Sequence, residues 1–140
     1  MGGEAIGSVR ARLKTELWRE RMDYEWGSPL CDVCGESLLW CDMHESIVRR
    51  GVARGWSKED RLKIFVPYNC HLVHRHCHGL AHGNPELMVA IQICRYGWQH
   101  VMEWVASLPF KVFFAWDRGL DENTARTMVE GQAPWILRQK

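Results

Sequence analysis

The chain has 140 residues, of which 46% are apolar and eight are tryptophans, so it can bury a core without disulfides. Its net charge of +1 argues against a protein that coats nucleic acid through bulk charge. No apolar run approaches the roughly 20 residues that cross a bilayer, and the N-terminus lacks a secretory pattern. We therefore expect a cytoplasmic protein without a membrane partner, in which paired cysteines indicate metal rather than disulfides.

The first elements in chain order are a helix, a turn and a strand. Residues 8–28 contain an N-terminal helix, because Val9, Leu13 and Leu17 recur at helical spacing. Residues 27–37 form a turn-rich knuckle, and the apolar run 38–44 suits a short strand. Three further elements precede the histidine-rich segment: a short helix over 45–55, a helix opened by the Ser57 cap, and a strand over 63–67.

The C-terminal part, residues 84–140, is predicted to be mainly helical. Asn84 and Pro85 begin a helix that runs to about Tyr96, and a second helix follows Gly97. Residues 111–116 form an apolar strand or buried turn, and Asp121 caps a last helix closed by Gly131. The expected fold class is α+β in a single domain over 1–140, with a small β element at 31–83 between helical flanks.

A structural zinc site is the first candidate for chemistry. Cys31-x2-Cys34 places two thiolates in one tight knuckle, and His74-x2-Cys77 supplies the second pair of a tetrahedral set. A ligand set that uses Cys70 or His71 in place of one of these stays open. Of the cysteines left over, we expect two to be core thiols, Cys41 and Cys94.

The remaining polar residues suggest a second site. Five of the seven histidines lie within residues 68–83, and one ion does not need them all. His44 ends a predicted strand, Asn69 lies in a loop, and His78 directly follows the last zinc cysteine. His82 lies four residues after His78, on the same face of a helix. His71 and His76 are expected to face solvent.

CDVC, DMHE and YNCHLVHRHCH, taken in this order, resemble the HNH endonuclease superfamily, the ββα-metal nucleases. The likeness covers residues 31–83, and the pattern of motifs is similar to that of zinc-bearing members from phage or bacteria. It implies a zinc-stabilised ββα-metal element and a cytoplasmic location in a bacterial or phage-infected cell. It also implies a metal-dependent DNA endonuclease, a hydrolase that nicks or cuts phosphodiester bonds with Mg²⁺ or Mn²⁺ as catalytic ion.

Carried over by position, the resemblance makes His44, Asn69 and His78 the catalytic set. Asn69 would orient the base. In one register His44 is that base, and the metal ligands are Asp42, His78 and His82. In the other register His44 binds the metal and Glu45 takes the position of the base, although a carboxylate is a weaker base than imidazole near neutrality.

Residues 46–63 carry six bases against two acids, so Arg49, Arg50 and Arg54 are candidates for contacts to the DNA backbone. A solvated helix face would have the same composition. Met43 and Glu45, together with the low net charge, favour an alternative function. In it the chain is an inactive zinc-stabilised binding or regulatory protein with a nucleic-acid or protein partner.

Overall fold

The computed structural model of the protein describes residues 5–23, 25, 27–109 and 120–139. Within them the chain is mixed helix and strand, with seven α-helices and one two-stranded antiparallel sheet, as expected for an α+β protein. The helices are α1 (Ile6–Glu20), α2 (Lys58–Leu62), α3 (Arg75–Gly83), α4 (Pro85–Tyr96), α5 (Trp98–Ala106), α6 (Glu122–Gln132) and α7 (Trp135–Arg138). No helix in this part of the chain combines the length and apolar character that a membrane span needs.

The sheet brings the histidine-rich segment against the strand that carries His44. Strand β1 (Asp42–Glu45) pairs antiparallel with strand β2 (Cys70–Val73), and His44 lies opposite His71. Helix α3 follows β2 directly and packs against β1. Because side chains alternate along a strand, Asp42 and His44 share the face of β1 that meets α3, while Met43 is buried on the other face.

Two clusters of buried side chains form the core. The first joins α1, the sheet and α5 through Leu17, Met43, Leu72, Val101 and Val105. The second joins α4 to the C-terminal helices, and its members include Ile91, Ile93, Ala125, Val129 and Ile136. The β element that carries the candidate sites is therefore supported by helices on several sides.

Two predicted elements are wrong, for a common reason. Residues 63–67 form turns rather than a strand, and the carbonyl of Ile64 accepts a hydrogen bond from the side chain of Asn69. Residues 45–55 form no α-helix: Glu45 ends β1, Val52–Gly55 is a 3₁₀ turn, and between them the backbone N–H groups of Ile47 and Val48 donate to the side chain of Asn69. Local patterns cannot anticipate a buried side chain that captures backbone groups from two segments.

Most predicted helices are confirmed, with shifted ends. The N-terminal helix ends at Glu20, well before residue 28. Ser57 and Asp121 cap α2 and α6 by accepting from the backbone N–H groups three residues later. Asn84 makes no such side-chain cap at α4. The apolar segment 111–116 lies outside the described residues.

Candidate metal centres

The first centre begins in the turn that carries Cys31 and Cys34. The backbone N–H of Gly35 donates to the carbonyl of Cys31 at 2.9 Å, which closes the turn. Gly35 has a φ of +78°, and a Cβ atom there would lie 2.7 Å from the Trp135 ring. Glycine is therefore required at this position both by the backbone conformation and by the packing of α7.

His74 and Cys77 complete this centre from the start of α3. The four ligand atoms lie within 4.8 Å of one another, with Nδ1 of His74 3.3 Å from Sγ of Cys34 and 4.0 Å from Sγ of Cys77. Ordinary zinc bond lengths in a tetrahedron place nitrogen and sulfur ligands about 3.6 Å apart. Nε2 of His74 lies 3.2 Å from the carbonyl of Ser37, so it can donate there and leave Nδ1 free as ligand.

Without a bound cation, the thiols of Cys31 and Cys77 would be protonated. Burial, together with the neighbouring thiols, raises the pKa of Cys77 to about 12, and burial raises the pKa of Cys31. A bound metal ion reverses this effect, because it stabilises the thiolate directly. The alternative ligands lie elsewhere: Cys70 donates to the carbonyl of Ile64, and His71 is held in a separate network. The group Cys31, Cys34, His74 and Cys77 can therefore hold a metal such as zinc, with no open position.

The second centre consists of three histidines. His78 and His82 stack on one face of α3, with ring centroids 4.8 Å apart, and His44 approaches both edge-on from β1. One nitrogen from each of the three lies within 4.8 Å of the others. Nε2 of His78 is only 3.1 Å from Nδ1 of His44. The i and i+4 spacing explains why the sequence pattern located His82.

His44 is almost completely buried in this group. Burial and the neighbouring imidazoles of His71, His82 and His78 lower its pKa to about 3. Burial and the charge of Arg49 lower the pKa of His82 as well. Imidazoles with lowered pKa values are neutral at pH 7, which is the form that binds metal ions.

Asp42 contacts a histidine of this group and does not lie where a metal ligand is expected. Its Oδ2 lies 3.2 Å from Nδ1 of His78, the ring nitrogen opposite the one that faces His44. Asp42 is outside the group of converging ligand atoms. A carboxylate in this position fixes the tautomer and orientation of a metal-binding histidine. The nitrogen atoms that converge are those of His44, His78 and His82, and Asp42 of the expected set lies behind His78.

Asn69 is fully buried and does not hydrogen-bond to the His44 ring. Its Oδ1 accepts from the N–H groups of Ile47 and Val48, both at 2.8 Å, and its Nδ2 donates to the carbonyls of Val48 and Ile64. These bonds fix the chain immediately after β1. Asn69 acts on His44 only through the backbone, and not as a direct partner of the imidazole.

Glu45 lies outside the group of converging ligand atoms, although its charge opposes the lowering of the His82 pKa. Its carboxylate pairs with Nε of Arg10 at 3.2 Å and with Nε of Arg50 at 3.5 Å. Arg10 also donates to the carbonyl of Met43, so this contact fastens α1 to β1. Glu45 thus has partners of its own, outside the histidine group.

The expectation that His71 faces solvent is wrong, because it is completely buried between Asp32 and Ser46. Burial alone would raise the pKa of Asp32, but the Arg95 guanidinium and the His71 hydrogen bond hold it well below its usual value. The ionised carboxylate accepts from Nδ1 of His71, which leaves Nε2 to accept from the hydroxyl of Ser46. The spacing of these residues gives no signal of this network, whereas His76 is exposed as expected.

Exposed cations and an aromatic ring border the histidine group. Arg49 donates to the carbonyl of His82 at 3.4 Å, and Nε of Arg75 lies 3.7 Å from Asp42. Arg75 also lies over the ring of Trp40, which is 63% exposed between the exposed Leu39 and the buried Cys41. Two further arginines of the basic segment, Arg50 and Arg54, are exposed as well.

Comparison with known proteins adds no relative to this description. No protein-family model matches the chain, and neither a curated protein nor a solved structure matches it. The interpretation of the two centres therefore depends on their own geometry and chemistry.

Proposed function

We propose that the protein is a metal-dependent nuclease of the HNH type, in which His44, His78 and His82 hold the catalytic ion and the cysteine-rich centre holds a structural zinc. The single observation that carries the proposal is the convergence of these three imidazoles, with Asp42 behind one of them. The order strand, strand, helix around the centre agrees with the ββα-metal element that the sequence resembles.

The donor set determines which ion fits. Three imidazoles suit Zn²⁺ and other late transition ions, whereas Mg²⁺ and Mn²⁺ prefer oxygen ligands. Of the two ions expected from the sequence, neither meets its preferred donors here, and Mn²⁺ is the nearer fit because it is a transition ion. Three protein ligands leave a position for water or substrate, unlike the four of the other centre. An ion bound there would activate water and polarise a phosphoryl oxygen.

In this proposal His44 is a ligand rather than a general base. Its Nδ1 points at Nε2 of His78 at 3.1 Å, and its burial keeps it neutral. The remaining candidate base, Glu45, is paired with Arg10 and Arg50. The role of the side chains is to position the ion and the substrate, and no side-chain base is assigned.

Nucleic acid is the proposed substrate because the centre is bordered by groups that suit it. Arg49 at one end of α3 and Arg75 at the other can contact phosphates on either side of the three histidines. A helix rises about 1.5 Å per residue, so the stretch from residue 75 to residue 82 spans roughly 10 Å, or about three nucleotides of one strand. The exposed ring of Trp40 beside Arg75 can stack on an unpaired base.

A plasmid-nicking assay tests the proposal. Protein with zinc at the cysteine centre and with the histidine centre emptied by a mild chelator is incubated with supercoiled plasmid and Mn²⁺, Zn²⁺ or Mg²⁺, beside folded His44→Ala, His78→Ala and His82→Ala variants. We expect nicking that depends on Mn²⁺ or Zn²⁺ and is lost in all three variants, while Glu45→Gln and the exposed control His76→Ala retain it. A folded wild type that binds the ion but does not nick any substrate would contradict the nuclease and favour the inactive binding protein.

A further inference from the structure

A cavity of about 750 Å³ lies on the molecule between the end of α1, the end of α4 and the helices α6 and α7. It is lined by five arginines against two acids, which are Arg19, Arg21, Arg95, Arg126 and Arg138 against Glu20 and Asp23. Pockets of this size hold small organic ligands. None of these residues belongs to the metal centres, so the cavity is a separate feature.

Arg21 and Arg95 are the two buried cations of this cavity, and they differ in how many of their N–H groups have hydrogen-bond partners. Arg95 binds both carboxylate oxygens of Asp32, at 2.7 and 3.1 Å, and donates to Gln92 as well. Arg21 is 7% exposed, and only its Nη2 has partners, the hydroxyl of Tyr96 and the carbonyl of Pro67. Its Nε and Nη1 are buried without a hydrogen-bond partner.

Arg21 is linked to the carboxylate of Glu20 through the hydroxyl of Tyr96. Tyr96 donates its own hydroxyl hydrogen to Glu20 while it accepts from Arg21. Burial raises the pKa of Tyr96 to about 12, against the effect of the Arg21 charge, so the phenol stays neutral. No ion pair of Arg21 is present among the described residues. A buried guanidinium with unpaired N–H groups is costly unless an anion or another acceptor satisfies it.

Gln139 adds a second unsatisfied donor to the same cavity. Its Oε1 accepts from Arg95, which can only donate, and this contact fixes the orientation of the amide. The Nε2 of Gln139 is consequently the end of the amide that does not contact Arg95, and it too is buried without a hydrogen-bond partner. The unsatisfied atoms of Arg21 and Gln139 are therefore all donors, and because they have almost no accessible surface, a ligand rich in acceptor oxygens would reach them when these side chains turn toward the cavity.

We propose that this cavity is a binding site for an organic phosphate, with the phosphate group between Arg21 and Gln139. A phosphate monoester offers three strong acceptor oxygens and close to two negative charges, which fits several unpaired donors better than the two oxygens of a carboxylate. Two exposed arginines, Arg19 and Arg138, add positive charge around the cavity, and a third, Arg126, is paired with Glu130. Met22, Ile136 and Leu137 provide apolar walls for the organic part. This site is independent of the proposed nuclease centre.

NMR titration of the zinc-loaded, full-length protein tests the site. The probes are inorganic phosphate, phenyl phosphate and adenosine monophosphate, with citrate and adenosine as comparison ligands. The Nε–Hε resonance of Arg21, assigned by its absence in Arg21→Lys, should move downfield when a phosphate probe binds. Phenyl phosphate or adenosine monophosphate should bind more tightly than inorganic phosphate, because each also fills the apolar part of the cavity.

The variants distinguish a specific phosphate-binding site from nonspecific attraction of anions to positive charge. Arg21→Lys keeps the charge but removes the fixed donors, and we expect about a tenfold or greater loss of phosphate affinity. Gln139→Ala should also weaken binding, and it replaces Arg21→Lys as the test variant if Arg21→Lys does not fold. The exposed variant Lys58→Ala removes one positive charge elsewhere and should leave the affinity unchanged. Failure of every phosphate probe to shift the Arg21 resonance, tighter binding of citrate, or an equal loss in Lys58→Ala would overturn the proposal.

Discussion

Replacement of Asn69 by alanine should destabilise the protein through the backbone of two segments. The side chain makes four buried hydrogen bonds of 2.8 to 3.0 Å, to Ile47, Val48 and Ile64. A typical hydrogen bond contributes about 1 kcal/mol net, and loss of one partner leaves a buried group unsatisfied. With some relaxation, we expect the free energy of unfolding to fall by about 3 to 4 kcal/mol, a large part of a typical total.

Urea denaturation followed by tryptophan fluorescence, at fixed excess zinc, measures this loss as a lower midpoint with an unchanged slope. Asn69→Asp is a second test, because it keeps the acceptor oxygens but loses both donations and places a carboxylate beside two carbonyls. The matched control is Asn84→Ala, an exposed asparagine without a side-chain cap, which should change stability by less than about 0.5 kcal/mol. Losses below about 1 kcal/mol for both Asn69 variants would refute the reasoning.

Three further predictions concern the metal centres and the surface beside them. Cys34→Ser should abolish stoichiometric zinc binding and unfold the β element, as seen by circular dichroism and metal analysis, whereas Cys94→Ser should keep its zinc. Asp42→Asn should weaken metal binding at the histidine centre by about 10- to 100-fold in a competition titration with a chromophoric chelator, with zinc at the cysteine centre retained. Trp40→Ala should weaken binding of a short single-stranded oligonucleotide by about tenfold in fluorescence anisotropy, and Trp98→Ala should not; equal effects would rule out stacking on Trp40.

The sequence located the ligands that obey a local spacing. Cys31 and Cys34 share one turn, His74 and Cys77 share the start of one helix, and these patterns predicted a centre that the structure brings together. His82 was found in the same way, from its distance of four residues to His78. The members of each pair lie close together because a turn or a helix fixes their relative positions without help from the rest of the chain.

The sequence could not locate partners that only the tertiary fold brings together. Asp32 and His71 are 39 residues apart and meet because the turn after Leu30 packs against β2, where the N–H of Asp32 donates to the carbonyl of Leu72. Glu45 pairs with Arg10 on α1 for a similar reason. The ambiguity between the two registers at DMHE is also a tertiary matter. The face of β1 that meets α3 carries His44, and the opposite face carries Glu45.

The most direct test of the account is the number and location of bound metal ions. Protein saturated with Zn²⁺ and then desalted is analysed for metal per chain by native mass spectrometry, beside folded His78→Ala and His76→Ala variants. The account predicts two ions in the wild type and in His76→Ala, and one in His78→Ala. A single ion in the wild type that His78→Ala retains would contradict the histidine centre, and with it the proposed nuclease.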